Sequence, residues 1–247
     1  MLELIEILRV ANQGMTKPLI CHASDGGTYY AKGKRATVDG LIKEWMLGNL
    51  AQTLGLPIPT FKIAYIDAQL VEHSPDAQDS LGEGYVFVSE QLPAATEFKY
   101  AMLKKIPLEL QQKILLFDLW IENSDRTLSK KFSGNPNLLW QSETNKVFVI
   151  DHNLALEKNF DLESFWETHV FQSQFCNFQL DLVVKQEWEV KLQQSLEHYS
   201  DWWKAMPDEW KQENEELGLL NFDTSLQRLQ QEAQGEIWSK IPKRIVA

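Results

Sequence analysis

Alternating apolar and polar positions mark the first third of the chain as rich in strands. Residues 4–10, 19–23 and 28–32 read as strands, 61–66 alternates as a half-buried strand should, and 85–89 is an apolar strand. Ser24-Asp25-Gly26-Gly27 is a tight-turn signal that joins the second and third of these into a hairpin. One helix interrupts the series. Asp39 can cap it, Leu41, Trp45, Gly48 and Leu54 mark an apolar face, Gly55 ends it, and Pro57 and Pro59 forbid its continuation. The polar stretch 72–83 reads as a surface loop. After Pro93 the spacing becomes helical. Pro107 suits a first helical position, and Leu110, Ile114, Phe117 and Ile121 line one face of the helix it opens. Two short strands, 137–140 and 146–151, flank a turn at 142–145. Everything beyond Asp161 reads as helix, with tryptophans at 166, 188, 202, 203, 210 and 238 expected to pack a helical core. The pattern predicts an α+β chain. Its strand-rich part with one helix spans 1–92, a mainly helical part spans 93–247, and a hinge lies near 89–93.

Composition narrows the class. A chain of 247 residues, 44% of them hydrophobic, can bury a substantial core as one large domain or two small lobes sharing a cleft. Acids outnumber bases 35 to 24, for a net charge of -11. That balance argues against binding nucleic acid or anionic membrane through overall charge, although Lys99, Lys104 and Lys105 form a local basic patch. Cys21 and Cys176 are too few and too far apart for a disulfide framework or a zinc site, which points to reduced thiols. No apolar run reaches the roughly 20 residues needed to cross a bilayer. The amino terminus carries acids where a signal peptide would carry bases, so a cytoplasmic location is expected.

Chemistry concentrates between residues 118 and 156. Asp125 sits in a polar loop after an amphipathic helix, Asn137 heads one short apolar strand, and Asp151 closes the next. An acid, an amide and an acid in that order is the arrangement of phosphoryl-transfer sites. There the first acid orients the nucleophilic hydroxyl, and the other two hold magnesium on the ATP phosphates. Asn135, across Pro136, rivals Asn137 as the amide. Lys32 ends a strand and could neutralise nucleotide phosphates, and Glu44, on the face of Leu41, Gly48 and Ala51, could fix it. Taken singly, the two read equally as a surface lysine and a helix-edge acid. Lys34, separated from the strand by Gly33, is a weaker rival. Gly26 and Gly27 could present N–H groups to phosphates, although a plain hairpin turn explains them as well. Glu90, Gln91 and Leu92, at the hinge, are where an adenine edge would meet the backbone. His152 keeps no assigned role. No nucleophile motif of a hydrolase is present.

In family order, the chain resembles the HipA-like kinases, a bacterial branch of the protein-kinase-like fold that also includes phosphoinositide kinases. The resemblance rests on Tyr29-Tyr-Ala-Lys32, Lys43-Glu44, Leu54-Gly-Leu-Pro-Ile-Pro59 and Val86-Phe-Val-Ser-Glu-Gln-Leu92. It rests most on Asn123-Ser-Asp125-Arg126-Thr127, Asn135-Pro-Asn137-Leu-Leu-Trp140 and Val149-Ile-Asp151-His-Asn-Leu-Ala-Leu156. It implies a two-lobed protein-kinase-like fold, of the short stand-alone kind, whose strand-rich lobe holds one helix. Lys32 would contact ATP, with Glu44 paired to it. Asp125 would be catalytic, and Asn137 and Asp151 would bind Mg2+. The implied activity is ATP-dependent phosphorylation of a protein serine or threonine, the chain's own included. Alternatives are a small-molecule or lipid head-group acceptor, or a pseudokinase serving as a regulatory module. The departure that motivates the last is an insertion, 128–134, between Asp-Arg-Thr and Asn-Pro-Asn. It carries Ser129 and Ser133, which with Thr127 are candidate autophosphorylation hydroxyls.

Overall fold

The computed structural model describes residues 1–11, 16–128, 134–157, 159–173 and 180–242. Five strands form the amino-terminal part: β1 (Leu2–Val10), β2 (Leu19–Ala23), β3 (Thr28–Lys32), β4 (Phe61–Ile66) and β5 (Gly84–Glu90). They close into a barrel in the order β1-β2-β3-β5-β4. Neighbours pair antiparallel except at the seam, where Leu2 and Glu3 run parallel to Ala64 and Tyr65. Strand periods alone do not specify this closure, which needs the parallel seam. The interior is filled by alternate residues, many of them small: Leu19, Cys21 and Ala23, Tyr29 and Ala31, Ala64 and Ile66, Val86 and Val88. Burial there pushes the Cys21 thiol up to about 12 and leaves it inert. Cys176 lies outside the described residues.

α1 (Thr37–Thr53) crosses between β3 and β4. Asp39 does not cap it. A 3-10 turn at Lys34–Ala36 leads straight in, which puts Asp39 in the first turn, ion-paired to Lys43 at 2.7 Å. The expected loop at 72–83 is partly helical, as α2 (Ala68–Glu72) and α3 (Pro75–Ser80). The side chains of Asp67 and Ser74 cap these two helices, and Pro75 opens the second, so the signals were local capping residues rather than periodicity.

The carboxy-terminal part adds a three-stranded sheet of β6 (Ala95–Glu97), β7 (Leu138–Gln141) and β8 (Lys146–Val149). At three residues, β6 is too short to show a period and goes unpredicted. Around this sheet pack α4 (Leu108–Trp120), α5 (Leu162–Thr168), α6 (Leu182–Ser195), α7 (Tyr199–Ala205), α8 (Asp208–Leu217) and α9 (Phe222–Ala233). Trp166, Trp188 and Trp210 are buried in their core, and Trp202, Trp203 and Trp238 pack against it. α1 belongs to this core too. Its Leu41, Ile42, Met46, Leu47 and Leu50 are buried with α4 and the later helices, not with the barrel interior. Among the described residues no helix is long and apolar enough to cross a membrane.

Candidate active site

Lys32 is the last residue of β3. Ala31 fills the barrel, so strand alternation turns Lys32 to the outer face, opposite Phe87, where α1 lies. Gly33 makes the exit. A Cβ there would come within 2.3 Å of the Leu81 carbonyl oxygen. Lys34 goes the other way, beside Gly82. On α1, Gly48 seats the helix against Phe61, whose ring a Cβ would meet at 3.1 Å, and this close approach brings Glu44 to the lysine.

Lys32 Nζ lies 2.5 Å from Glu44 Oε1 and 3.1 Å from Asp151 Oδ1. Glu44 Oε2 accepts the backbone N–H of His152 at 3.2 Å. Burial alone would discharge the lysine, but Glu44 and Asp151 hold its pKa above the ordinary value. Burial would likewise raise Glu44, and Lys32 and His152 hold it well below the usual carboxylate range. At Asp151 burial prevails. Its carboxyl is raised, with Lys32 pulling it down and Glu44 pushing it further up.

Asp125 stands on the loop after α4. Its Oδ2 accepts one N–H from the amide of Asn135 and one from that of Asn137, each at 2.8 Å. Its own N–H donates to Asn123 Oδ1 at 3.2 Å. Burial raises its carboxyl against the pull of the two amides and of the Arg126 and Lys32 charges. The 128–134 insertion is closed at its base. Thr127 N–H donates to Asn135 O at 2.8 Å, and Asn135 N–H donates to Thr127 Oγ1 at 3.1 Å. A Cβ at Gly134 would sit 2.4 Å from the Thr127 carbonyl oxygen, so the base requires glycine. Ser129 and Ser133 lie outside the described residues. Asn135 and Asn137 differ in setting: Asn137 is buried, whereas Asn135 is exposed.

Behind the loop lies a buried network that the sequence pattern does not reveal. The Arg126 side chain is fully buried. Its Nε donates to Asp118 Oδ2 at 2.7 Å, and its Nη1 donates to the carbonyls of Asn137 at 2.6 Å and Ile150 at 3.1 Å. His169 Nε2 donates to Asp118 Oδ2 at 3.0 Å, and Asn123 donates to Asp118 Oδ1 at 2.9 Å. His169 Nδ1 accepts the Phe171 N–H, which fixes a neutral ring, and burial lowers its pKa accordingly. Burial would raise Asp118, but Arg126 and His169 hold it down at about 2. One guanidinium thus grips the backbone beside both Asn137 and Asp151. These two residues take left-handed φ angles of 46° and 60°, a conformation that survives only where its surroundings impose it. Asp118 was visible in the sequence as an acid among Phe117, Leu119 and Trp120, a setting that demands a partner. Nothing local pointed to His169.

The residues present fit a hard divalent cation. Asp151 Oδ1 is buried and, apart from its ion pair with Lys32, takes no directed hydrogen bond among the described residues. Asn137 spends its Nδ2 on Asp125, which leaves its carbonyl oxygen as the end a cation would meet. No group of three or more His, Cys, Asp and Glu forms a metal cluster among the described residues. One carboxylate and one amide, completed by phosphates and water, is a donor set that suits magnesium.

One expected nucleotide contact, the glycine turn, stands away from Lys32. The β2–β3 register pairs Leu19 with Ala31 and His22 with Thr28. Gly26 and Gly27 therefore lie at the opposite end of the ladder from Lys32. Their N–H groups are also spent, on Ala23 O and on Asp25 Oδ1. The connection at the Lys32 end is the β1–β2 one, residues 11–18, of which 12–15 lie outside the described residues. At the hinge, Glu90 pairs with Tyr29 and its N–H goes to Thr60 O, while the Gln91 N–H goes to Thr28 O. The Leu92 carbonyl accepts the Ala95 N–H at 3.3 Å, so among the described residues the Gln91 carbonyl and the Leu92 N–H are the groups that an adenine edge could meet. With about 3.3 Å per strand residue, this hinge stands roughly 10 Å along the sheet from Lys32.

A family model described as HipA-like kinase matches residues 4–241, nearly the whole chain. No match is found among the curated proteins.

Proposed function

The chain belongs to the HipA-like kinase family, and from that premise we propose an ATP- and magnesium-dependent kinase that phosphorylates a serine or threonine hydroxyl on a protein, its own included. In this reading the molecule has two lobes of protein-kinase-like fold, 1–92 and 93–247, with the nucleotide between them and its adenine at Glu90 to Leu92. Lys32 meets the phosphate oxygens, and Glu44 keeps the lysine's long stem in one rotamer. Asn137 and Asp151 supply oxygens to the cation, which neutralises phosphate charge when bound. Asp125 has one carboxylate oxygen held by two amides, which leaves the other for the acceptor hydroxyl. The chemistry asked of the protein is positioning and charge neutralisation, with no covalent intermediate.

One observation carries the reading. Lys32 is bonded at once to Glu44 and to Asp151, residues 12 and 119 positions away, and Asp125 is joined to Asn137, whose backbone carbonyl accepts the N–H of Ile150, the residue before Asp151. The bonded base of the 128–134 insertion supports activity over a pseudokinase, because it keeps Asn137 on Asp125.

Incubation with γ-labelled ATP and magnesium tests this. Labelling of protein is expected for the native chain, with a loss of about 10²-fold or more for Asp125→Ala and for Asp151→Asn. Equal labelling or hydrolysis in all three would refute the reading. Stabilisation by Mg-ATP without turnover would make the chain a pseudokinase, and ATP consumption only with a metabolite extract would make the acceptor a small molecule.

A further inference from the structure

α1 holds the Glu44 half of the Lys32–Glu44 pair, and it meets the barrel only on its outer face, at Phe61 and Lys32, with no side chain in the barrel interior. It is buried nearly all round, and its apolar side chains belong to the carboxy-terminal core. Two indoles fasten this arrangement. Trp45, the residue after Glu44, donates from Nε1 to the Trp202 carbonyl in α7 at 2.9 Å, while its ring lies edge-on to Phe61 of β4. Trp210 of α8 donates from Nε1 to the Tyr85 carbonyl in β5 at 3.3 Å. So α7 and α8 grip both the helix that carries Glu44 and a strand next to the one that carries Lys32.

The same layer reaches the other half of the site. Tyr199 of α7 shares a hydrogen bond with Ser225 of α9 at 3.2 Å. The α9 residue Leu229 accepts the Trp120 Nε1–H at 3.0 Å, at the end of the helix that delivers the Asp125 loop. Below that loop, Glu122 is ion-paired to Arg228 of α9 and, at 2.8 Å, to Lys240. A helix whose partner-facing side is exposed can swing and break such a lysine pair. Here that side is covered by the chain itself.

We infer that α7 to α9 form a built-in clamp that holds α1 inward, with Trp45 as the positioning residue through which the clamp sets the Lys32–Glu44 pair. The clamp supplies within one chain what a separate activating partner would otherwise supply, so the pair stands formed without a further switching step. This inference rests on the kinase reading for its consequence in turnover but not for its structural content.

The test uses the full chain as wild type, Trp45→Phe, Glu44→Gln and the double variant. Two readouts are taken: the kinetics of ATP-dependent phosphoryl transfer, and amide hydrogen exchange over 37–53. Trp45→Phe keeps an aromatic ring in contact with Phe61 but removes the N–H donor together with the five-membered half of the indole. It is expected to lower kcat about fivefold with KM for ATP little changed, the scale of one lost hydrogen bond. On a Glu44→Gln background the same change is expected to cost less than about twofold, because its effect passes through Glu44. Exchange in α1 is expected to quicken in Trp45→Phe. Unchanged α1 exchange overturns the clamp, as does a kinetic effect that multiplies in full on Glu44→Gln. If the native chain transfers no phosphate, the kinase reading fails, and exchange alone decides the clamp. If Trp45→Phe does not fold, Trp210→Phe replaces it with α1 exchange as the sole readout, because its donor bonds β5 and not α1: faster exchange supports the clamp and unchanged exchange overturns it.

Discussion

On the strand side of the site, Lys32 is held by residues that share the site with it: Glu44 at 2.5 Å and Asp151 at 3.1 Å. On the loop side, Asn137 and Asp151 are held from behind. Arg126 grips the carbonyls of Asn137 and Ile150, Asp118 holds Arg126, His169 holds Asp118, and all three are buried out of reach. The first arrangement can trade partners, since a cation and phosphates arriving at the site would compete for the same charges. The second cannot, because its bonds end on carbonyl groups and on a closed ion network. One side of the site is built to re-pair, and the other is a frame.

The largest blow to this contrast comes from the frame. Arg126→Met would leave Asp118 charged and buried with only the neutral donors of His169 and Asn123, and would take the guanidinium from the Asn137 and Ile150 carbonyls. Removing one partner of a buried pair costs about 3–5 kcal/mol, a large share of a domain's stability. Urea denaturation should show that loss equally with and without Mg-ATP. A loss below about 1 kcal/mol would mean the network does not hold the loop.

Acid should draw the next largest response. The Asp118 carboxyl is held at about 2 against its ordinary 3.8. Its charge therefore stabilises the fold in full above pH 4, and this contribution drains away as the pH falls toward 2. The difference amounts to about 2 kcal/mol. Stability that stays flat from pH 4 to pH 2.5 would contradict the assigned pairing.

Gly26→Ala should do least, and it separates the two ends of the β2–β3 ladder. The φ of 82° at Gly26 makes alanine strained there, at about 1 kcal/mol of stability. The turn lies away from Lys32, so KM for ATP should stay unchanged. A marked rise in KM would return this turn to the nucleotide.

Strand periods, the proline stops after α1 and the acid–amide–acid order were legible in the sequence because each is written within a few neighbouring residues. The Ser24 to Gly27 turn was equally legible as a turn. Its end of the sheet was not, because that depends on the register of β2 against β3. Barrel closure was hidden for the same reason, since the seam joins Leu2 and Glu3 to Ala64 and Tyr65 across some sixty residues. The roles of Arg126 and His169 were hidden because a buried pair is defined by what surrounds it.

By itself the sequence determined the longer elements, the α+β class, the family and the residue types at Lys32, Glu44, Asp125, Asn137 and Asp151, all properties of local pattern. Tertiary structure alone decided that α1 belongs to the helical core, that Lys32 stands between two acids, and that one guanidinium fixes the backbone at 137 and 150. The physical reason is that burial and charge pairing act through space, between groups whose separation along the chain carries no trace of their contact.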